Sequence, residues 1–381
     1  MLPFNEKPFR SALTELDELR IALDARGPLP LAWEGQLRRD LEAGAVQASV
    51  EMEGVAVTVE EVRRILAGDV PGRVSEEDAG LVQGYRDAMS YVQSRADDRV
   101  FRWSPELLKA IHHRVLAGRR GAGRYGEGRL VVDRSSGDVV FTPPQDGVAE
   151  LVEALGDRMN TWAAHPALAA AWIHVGLAAL HPFKDGNGRT ARILSSLAMY
   201  RGGFRRPEFC SLEQWWGTHK ASYYAAFRCL GTTFDANADV TPFVRAHIDA
   251  QRSQVRALAL REETNRSIWT GLTRVCEHAG LPARAAFALW DAYNEREVTR
   301  PYYRSVADVS ESAATMDFSR LRSASLLAPR GKTRGRTYAA GTRLLALLAT
   351  ELGLGATAGT DRAAIVDEVT ARLAKVHGLR S

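Results

Sequence analysis

The sequence predicts a mainly α fold with one β-hairpin, followed by a smaller region of short helices. Three observations carry this prediction. Apolar residues recur at helical spacing through most of the 381 residues. Between Arg129 and Pro144, two β-branched runs flank a Ser-Ser-Gly turn, which is typical of a hairpin. From about residue 265 the predicted elements become shorter, which indicates a second domain.

The first predicted elements are helices near the N-terminus. Residues 11–25 and 32–54 both show helical apolar spacing, and Gly54 is placed to end the second helix. The next helix is predicted to begin after Ser75, whose hydroxyl can cap it and which is followed by acidic residues. The N-terminal region is therefore expected to be helical.

Two helices further along the chain carry clear boundary signals. Ser104 as cap, Pro105 at the first helical position and Gly118 at the stop define one of them. The other is Pro166–Leu180, fifteen residues that carry no charge apart from histidine. A membrane span needs about 20 apolar residues. The run therefore predicts a buried helix, and no membrane partner is expected.

Composition excludes several classes of protein. A net charge of +4 on 381 residues does not by itself demand a nucleic-acid partner. The three cysteines, Cys210, Cys229 and Cys276, are odd in number and widely spaced, which argues against a disulfide framework or a thiolate zinc site. The first twenty residues carry charges where an export signal needs an apolar core. A cytoplasmic location is expected.

The stretch HPFKDGNGRTAR, from His181 to Arg192, concentrates polar residues directly after the predicted buried helix. Its Gly-Asn-Gly turn opens the next predicted helix, where backbone N–H groups favour an anion such as phosphate. Arg189 and Arg192 share one helix face and suit phosphate oxygens. Asp185 would need Mg²⁺ between itself and a phosphate, and His181 could accept a hydroxyl proton. A polyphosphate site is predicted; a solvated helix cap is the alternative that spacing leaves open.

This stretch resembles the signature of the Fic family, H-[PF]-F-x-[DE]-G-N-G-R-x-x-R, and matches it at every specified position. The resemblance extends over roughly residues 40 to 250, including the hairpin and the helix that carries His174. It implies a Fic-type helical bundle over residues 76–255. It also implies the transfer of AMP from ATP to a Ser, Thr or Tyr hydroxyl, on another protein or on the chain itself.

The resemblance assigns a role to each matching residue of the motif. His181 would be the catalytic base, Asp185 the Mg²⁺ ligand, and Phe183 an anchor in the core. The nucleotide's phosphates would be held by the turn and by both arginines, that is, by Gly186, Asn187, Gly188, Arg189 and Arg192.

The hairpin resembles the flap with which Fic proteins hold the backbone of their target. Strand addition of this kind sets register without reading much side-chain sequence. The candidate flap residues are Val139, Val140, Phe141 and Thr142. The alternative is a hairpin that only covers the core.

The N-terminal region, residues 1–75, contains a segment that resembles the inhibitory helix of many Fic proteins. The segment SVEMEG runs from Ser49 to Gly54 and has the pattern S-x-x-x-E-G. The resemblance implies that Glu53 pairs with Arg192 and so blocks the binding of the γ-phosphate in its reactive position. In some relatives the same glutamate supports removal of AMP, and the sequence does not separate the two roles. A solvated glutamate at a helix end is the unremarkable alternative.

Residues 265–345 resemble a winged helix-turn-helix, and residues 346–381 a helical tail. Seven basic residues lie between Phe318 and Arg343 with no acid among them: Arg320, Arg322, Arg330, Lys332, Arg334, Arg336 and Arg343. Such a patch can contact the phosphates of DNA. Winged helices also serve as protein-docking or dimer modules, so self-association is open.

Two functional hypotheses follow from the sequence. The first is an auto-inhibited protein adenylyltransferase; the second is a DNA-binding regulator whose Fic core is sensory or inactive. The intact motif favours the first, and the presence of Gly188 favours nucleotidyl transfer over phosphotransfer, with UMP as an open alternative to AMP. His112, His113 and His174 are expected to be core or boundary residues. The target protein is not predicted.

Overall fold

The computed structural model describes residues 1–25, 42–132, 136–204, 212–331, 336–355, 359 and 361–376. The chain divides into two compact units, Met1–Arg256 and Ala257–Ser381. The mainly α fold predicted from the sequence is confirmed. None of the helices in the described ranges combines the length and the apolar character needed to cross a membrane.

The first unit is built from helices and one hairpin. Its helices are α1 Arg10–Ala25, α2 at residues 42–51, α3 Val59–Leu66, α4 Glu76–Ala96, α5 Pro105–Val115, α6 Val148–Thr161, α7 Pro166–Leu180, α8 Asn187–Arg201, α9 Glu213–Thr218 and α10 Lys220–Ala226. The strands β1 Val131–Val132 and β2 Val139–Phe141 pair antiparallel. Part of the predicted turn between them, including Ser135, lies outside the described residues.

Helix α11, Thr241–His278, contains the division between the two units. The sequence-derived boundary between residues 255 and 265 falls inside this helix, so no loop marks it. The four predicted regions of the chain stay a prediction.

The centre of the first unit is α7, whose bounds match the predicted buried run. This helix packs against α6 and α8, and α8 packs in turn against α4 and α5. Because nearly every side chain of α7 and α8 is buried, the turn that joins them is held from both sides. The sequence motif occupies that turn.

Two predicted caps are present. The Ser75 hydroxyl accepts a hydrogen bond from the Asp78 amide at 3.0 Å, and the Ser104 hydroxyl accepts one from the Leu107 amide at 3.3 Å. Each satisfies one of the amides that a helix start leaves without an intrahelical partner. Gly54 follows α2 with a φ of +92°, which only glycine adopts without strain.

The second unit contains α12 Ala286–Tyr293, α13 Arg300–Ala307, α14 Glu311–Ser323, β3 Leu327–Arg330, β4 Thr337–Ala340, α15 Leu344–Glu351 and α16 Arg362–Val376. Strands β3 and β4 pair antiparallel, and Val298 adds a bridge to Tyr338 through two hydrogen bonds of 2.9 Å. Phe318 packs edge-on against Tyr303 and Tyr338. Of the predicted basic residues, Lys332 and Arg334 lie outside the described ranges.

Candidate active site

The turn between α7 and α8 begins and ends in left-handed backbone. His181 follows the last turn of α7 with φ 42° and ψ 55°, and Gly186 precedes α8 with φ 74°. A residue other than glycine pays about 1–2 kcal/mol for this conformation. His181 keeps it because its amide caps α7 through the Leu177 carbonyl at 2.9 Å, while its own carbonyl accepts from Arg129 at 3.3 Å.

The interior of the turn is fixed by Asn187 and Phe183. The Asn187 side chain accepts from the Phe183 amide at 3.0 Å and donates to the Phe183 carbonyl at 2.8 Å. The Phe183 ring is fully buried, as its predicted role as an anchor requires. The side chain of Asn187 thus holds the loop, and its backbone begins α8.

The start of α8 has the properties of an anion site. The first amides of any helix point outward without intrahelical partners and carry the positive end of the dipole. At Gly188 an added Cβ would lie 2.5 Å from Glu53 Oε1 and 3.2 Å from Arg192 Nη1. A side chain at position 188 would therefore have to displace the ends of the Glu53 and Arg192 side chains from their present contact.

Asp185 and Arg189 form an ion pair at this helix start. Arg189 Nη2 lies 3.2 Å from both carboxylate oxygens, and Asp185 Oδ1 also accepts from the Gly186 amide at 2.6 Å. The Arg189 side chain is 2% exposed, and its Nε and Nη1 are buried without a hydrogen-bond partner among the described residues. The guanidinium is thus held inside the helix start, with one nitrogen paired to Asp185 and two donor atoms buried without a partner in the described part of the chain.

The residues present fit a magnesium ion bound together with phosphates. The Asp185 side chain is 57% exposed, so its carboxylate is accessible beside the anion site. Mg²⁺ is commonly held by one or two carboxylates while phosphate oxygens and waters complete its octahedral shell. The described part of the chain has no cluster of three or more His, Cys, Asp or Glu side chains suited to a metal. Asp185 would be the protein ligand.

Arg192 is fully engaged by other groups. Its Nε donates to the Ser49 hydroxyl at 3.1 Å and its Nη1 to the Tyr223 hydroxyl at 3.3 Å. Its Nη2 donates to the Ser49 carbonyl at 3.1 Å and to Glu53 Oε1 at 3.2 Å. Burial disfavours the charged guanidinium, but the nearby groups Tyr223, Glu53, Tyr85 and Glu213 together outweigh it and raise the pKa of Arg192. The structure thus brings the predicted residues Ser49, Glu53 and Arg192 together.

Helix α2, which carries Ser49, is seated on α9 and α10. Met52 belongs to a buried cluster with Trp216 and Tyr223. Glu51 forms an ion pair with Lys220 at 3.0 Å, and the Tyr224 hydroxyl donates to the Met52 carbonyl at 3.3 Å. These contacts fix the backbone from which Glu53 reaches Arg192.

The His181 imidazole is largely shielded from water. Burial lowers its pKa to about 4, although the Ala178 backbone and the Glu53 carboxylate act in the opposite direction. The ring is therefore neutral at pH 7 and has a lone pair that can accept a proton.

Three residues of the site were not predicted from the sequence. Tyr223 contacts Arg192, as described above. Arg129 donates to the His181 carbonyl and to the Pro144 carbonyl, so it joins the base of the hairpin to the turn. His112 lies 2.9 Å from the Asp185 carbonyl and stacks on Phe183 with ring centroids 3.6 Å apart. For His112, the only signal in the sequence was a histidine at a helical position expected to be buried.

The hairpin residues fall into two groups. Val139 and Val140 are 53% and 46% exposed, whereas Phe141 is buried. The Thr142 amide donates to the Thr232 carbonyl, and the Thr142 carbonyl accepts from Phe234, both at 2.9 Å. The backbone of Thr142 is thus already paired within the chain.

Residues 102–199 match the Fic/DOC family. The chain is 32% identical over 212 residues to the protein adenylyltransferase fic-1 of Caenorhabditis elegans, which covers 52% of this chain and 38% of that relative. It is 30% identical over 254 residues to the protein adenylyltransferase Fic of Drosophila willistoni, and this alignment covers 63% of this chain and 48% of that relative. The chain thus spans less than half the length of these curated relatives.

Solved structures show the same fold. A Fic family protein from Desulfovibrio desulfuricans G20 superposes with a TM-score of 0.60 at 21% identity, covering 90% of this chain and 98% of that one. Residues 134–508 of Fic-1 from C. elegans superpose with a TM-score of 0.56 at 25% identity, covering 67% of this chain and 73% of that one. The match over residues 102–199, together with the complete motif at the α7–α8 turn, shows that this chain contains a domain of the Fic/DOC family.

Proposed function

We propose that this protein is a protein adenylyltransferase that transfers AMP from ATP to a side-chain hydroxyl. One observation carries the proposal: a neutral His181 stands at the end of α7, directly before the start of α8, where the buried Arg189 guanidinium pairs with the exposed Asp185 carboxylate. The relatives named protein adenylyltransferase support the choice of AMP. UMP is the alternative nucleotide.

In the proposed reaction the His181 imidazole takes the proton of the target hydroxyl. The oxygen then bonds to the α-phosphorus of ATP, the bond from that phosphorus to the β-phosphate breaks, and pyrophosphate leaves with the electron pair. The amides at Asn187 and Gly188, together with Arg189, hold the phosphates, and Gly186 lets the backbone turn into α8 while its own amide donates to Asp185. Arg192 would hold the γ-phosphate once Glu53 releases it.

Asp185 is the proposed ligand of Mg²⁺. When bound, the ion would neutralise phosphate charge near the α-phosphorus. Since Arg189 Nη2 contacts both Asp185 oxygens, Arg189 orients the carboxylate. We expect Asp185→Asn to raise the Mg²⁺ concentration needed for half-maximal transfer. An unchanged magnesium titration would contradict this assignment.

The proposed target is a protein, or a second site on the chain itself, docked at the hairpin. An extended segment can pair with the strand that carries Val139 and Val140, whose side chains are exposed. Thr142 is excluded from this pairing because its backbone groups are already used.

A cytoplasmic location is likewise proposed from the scattered cysteines alone.

The resting protein is proposed to be auto-inhibited. Glu53 occupies the guanidinium of Arg192, and Ser49 supplies two further acceptors to it. ATP could then bind with its outer phosphates displaced from the reactive position. The alternative role of Glu53 is participation in the removal of AMP. Incubation of AMP-modified target with wild type and with Glu53→Gln separates inhibition from AMP removal, because only the second role makes the loss of AMP depend on the carboxylate.

The test of the activity compares His181→Ala with its parent in a chain that carries Glu53→Gly. With labelled ATP, lysate and magnesium, the parent should label itself or a target, and His181→Ala should lose about 10²- to 10⁴-fold in rate. The melting temperatures of both chains serve as the folding control. Undiminished labelling by a folded His181→Ala chain would refute the proposal.

A second candidate function, DNA binding, is proposed for the second unit. Helices α12 to α14 followed by the β3–β4 hairpin follow the order of a winged helix-turn-helix. On α14 the exposed residues after Glu311 carry no acid and include Thr315, Ser319, Arg320 and Arg322. Hydroxyl and guanidinium groups on one helix suit base edges and phosphates.

The full chain and its Arg320→Ala/Arg322→Ala variant test this second function in a gel shift over a range of salt concentrations. The parent should bind DNA at low salt with affinity that falls steeply as salt rises, and the double variant should bind more weakly. No retention of the parent at low salt would exclude DNA as the partner.

A further inference from the structure

His112 contacts the site turn on two sides. On α5, its ring stacks on Phe183 at 3° between planes, and its Nε2 lies 2.9 Å from the Asp185 carbonyl. An added Cβ at Gly186 would lie 3.3 Å from His112 Nε2, so the imidazole also borders that glycine. The ring thus touches the turn where it enters α8.

The protonation state of the ring follows from its partners. The Gly123 amide donates to His112 Nδ1 at 2.8 Å, so Nδ1 must be a bare lone pair. In a neutral ring the hydrogen is then on Nε2, which donates it to the Asp185 carbonyl. Both ring nitrogens are therefore used.

The hydrogen bond to the Asp185 carbonyl orients more than one atom. The peptide unit is planar, so fixing the Asp185 carbonyl oxygen also fixes the Gly186 amide on the other side of that plane. The Gly186 amide donates to Asp185 Oδ1 at 2.6 Å. His112 therefore acts, through one rigid plane, on the direction of the Asp185 carboxylate and on the first amides of α8.

We propose that His112 is a positioning residue of the site, whose Nε2 hydrogen bond holds the Asp185–Gly186 peptide in the orientation that catalysis needs. Its catalytic consequence rests on the proposed function; its structural consequence does not. A residue that only fills space in the core would be replaceable by any side chain of similar volume. A positioning residue requires a donor at the place of Nε2.

Two amide variants separate the two hydrogen bonds of the ring. The terminal nitrogen of His112→Gln reaches about as far as Nε2 and can donate to the Asp185 carbonyl. The shorter side chain of His112→Asn ends near the place of Nδ1, where its oxygen can accept from Gly123 but no donor reaches Asp185. Both replace an imidazole by a neutral amide and both lose the stacking on Phe183, so they differ only in the length of the side chain and in the hydrogen bond that this length allows.

The first readout is transfer kinetics in the full chain carrying Glu53→Gly. We expect His112→Asn to lower kcat about 10- to 100-fold, with a smaller change in the KM for ATP, because displaced supporting groups typically cost this much. His112→Gln should keep most of the parental kcat. Equal losses in the two variants would overturn the proposal.

The second readout needs no activity. Hydrogen exchange at the Gly186 amide should be faster in His112→Asn than in His112→Gln, because the first variant frees the peptide plane. Melting temperatures show whether the two chains are equally folded. Equal exchange rates in equally stable chains would overturn the proposal. If the exchange rates differ while no chain transfers AMP, positioning by His112 holds and the proposed activity fails.

Discussion

Glu53 and Arg192 lie 139 positions apart in the chain, and their carboxylate and guanidinium are 3.2 Å apart in the fold. The arginine is on α8, in the middle of the core, and the glutamate is in the turn that follows α2. The pair links the N-terminal region to the candidate active site. Arg192 is proposed to bind the γ-phosphate of ATP, and Glu53 is proposed to inhibit transfer by occupying Arg192.

Removal of the Glu53 carboxylate should activate the enzyme. Hydrogen bonds to charged groups contribute about 1.5–3 kcal/mol, so Glu53→Gly is expected to raise the rate of AMP transfer roughly 10- to 100-fold. Glu53→Gln keeps the shape and removes the charge, and an intermediate rate is expected for it. Labelling by radioactive ATP, with autoradiography of the chain and of lysate proteins, gives the three rates.

The magnesium-dependent heat of ATP binding to Glu53→Gly is a separate control. A measurable heat together with equal labelling by wild type and Glu53→Gly would mean that the pair does not inhibit. The absence of any heat would count against the nucleotide site itself.

Local patterns predicted the elements well because their causes are local. The buried helix Pro166–Leu180 follows from an uncharged run that begins at proline and ends before the polar motif. The cap at Ser104 depends on an amide three residues away. The motif also placed His181, Asp185 and Arg189 at one turn, since they are close in sequence.

Contacts between distant segments were predictable only through family resemblance or not at all. Nothing in the pattern around Arg192 points to Tyr223, whose position depends on how α10 packs against α8. His112 was expected to be a core histidine, which describes its burial but not its bond to Asp185. Arg129 was not predicted for the same reason, because its carbonyl partners at His181 and Pro144 come from separate loops.

Ser49 should contribute to inhibition less than Glu53 does. Ser49→Ala removes the hydroxyl that accepts from Arg192 Nε but leaves the Ser49 carbonyl and Glu53 in place. A single hydrogen bond of this kind contributes about 1 kcal/mol, so a rise of about fivefold in transfer rate is expected. Steady-state labelling of wild type, Ser49→Ala and Glu53→Gly side by side measures the order. A rate for Ser49→Ala above that of Glu53→Gly would contradict it.

Two glycines of α4 give a matched test of packing. An added Cβ at Gly84 would lie 2.3 Å from the Arg114 carbonyl oxygen on α5, whereas one at Gly80 would lie 3.8 Å from Ala117 Cβ. Gly84→Ala must push the two helices apart and should lower the free energy of unfolding by about 1–3 kcal/mol. Gly80→Ala should raise it by up to about 1 kcal/mol, because alanine favours helix. Urea unfolding followed by tryptophan fluorescence distinguishes them, and equal effects would show that α4 and α5 do not cross closely at Gly84.

His247 should make the fold sensitive to acid. It is fully buried, its Nε2 lies 3.2 Å from the Ser195 hydroxyl, and burial lowers its pKa from 6.5 to about 3. Between these values the unfolded chain binds a proton that the native chain does not, so the free energy of unfolding falls as the pH falls from about 6.5. The slope approaches about 1.4 kcal/mol per pH unit for one such group. In His247→Gln this part of the slope is absent, and the amide can still reach Ser195. Urea unfolding at pH 8, 7, 6 and 5 gives the free energy of unfolding of both chains as a function of pH. The two curves should run parallel above pH 7 and diverge below it. If they stay parallel down to pH 5, native His247 takes up its proton as readily as the unfolded chain does.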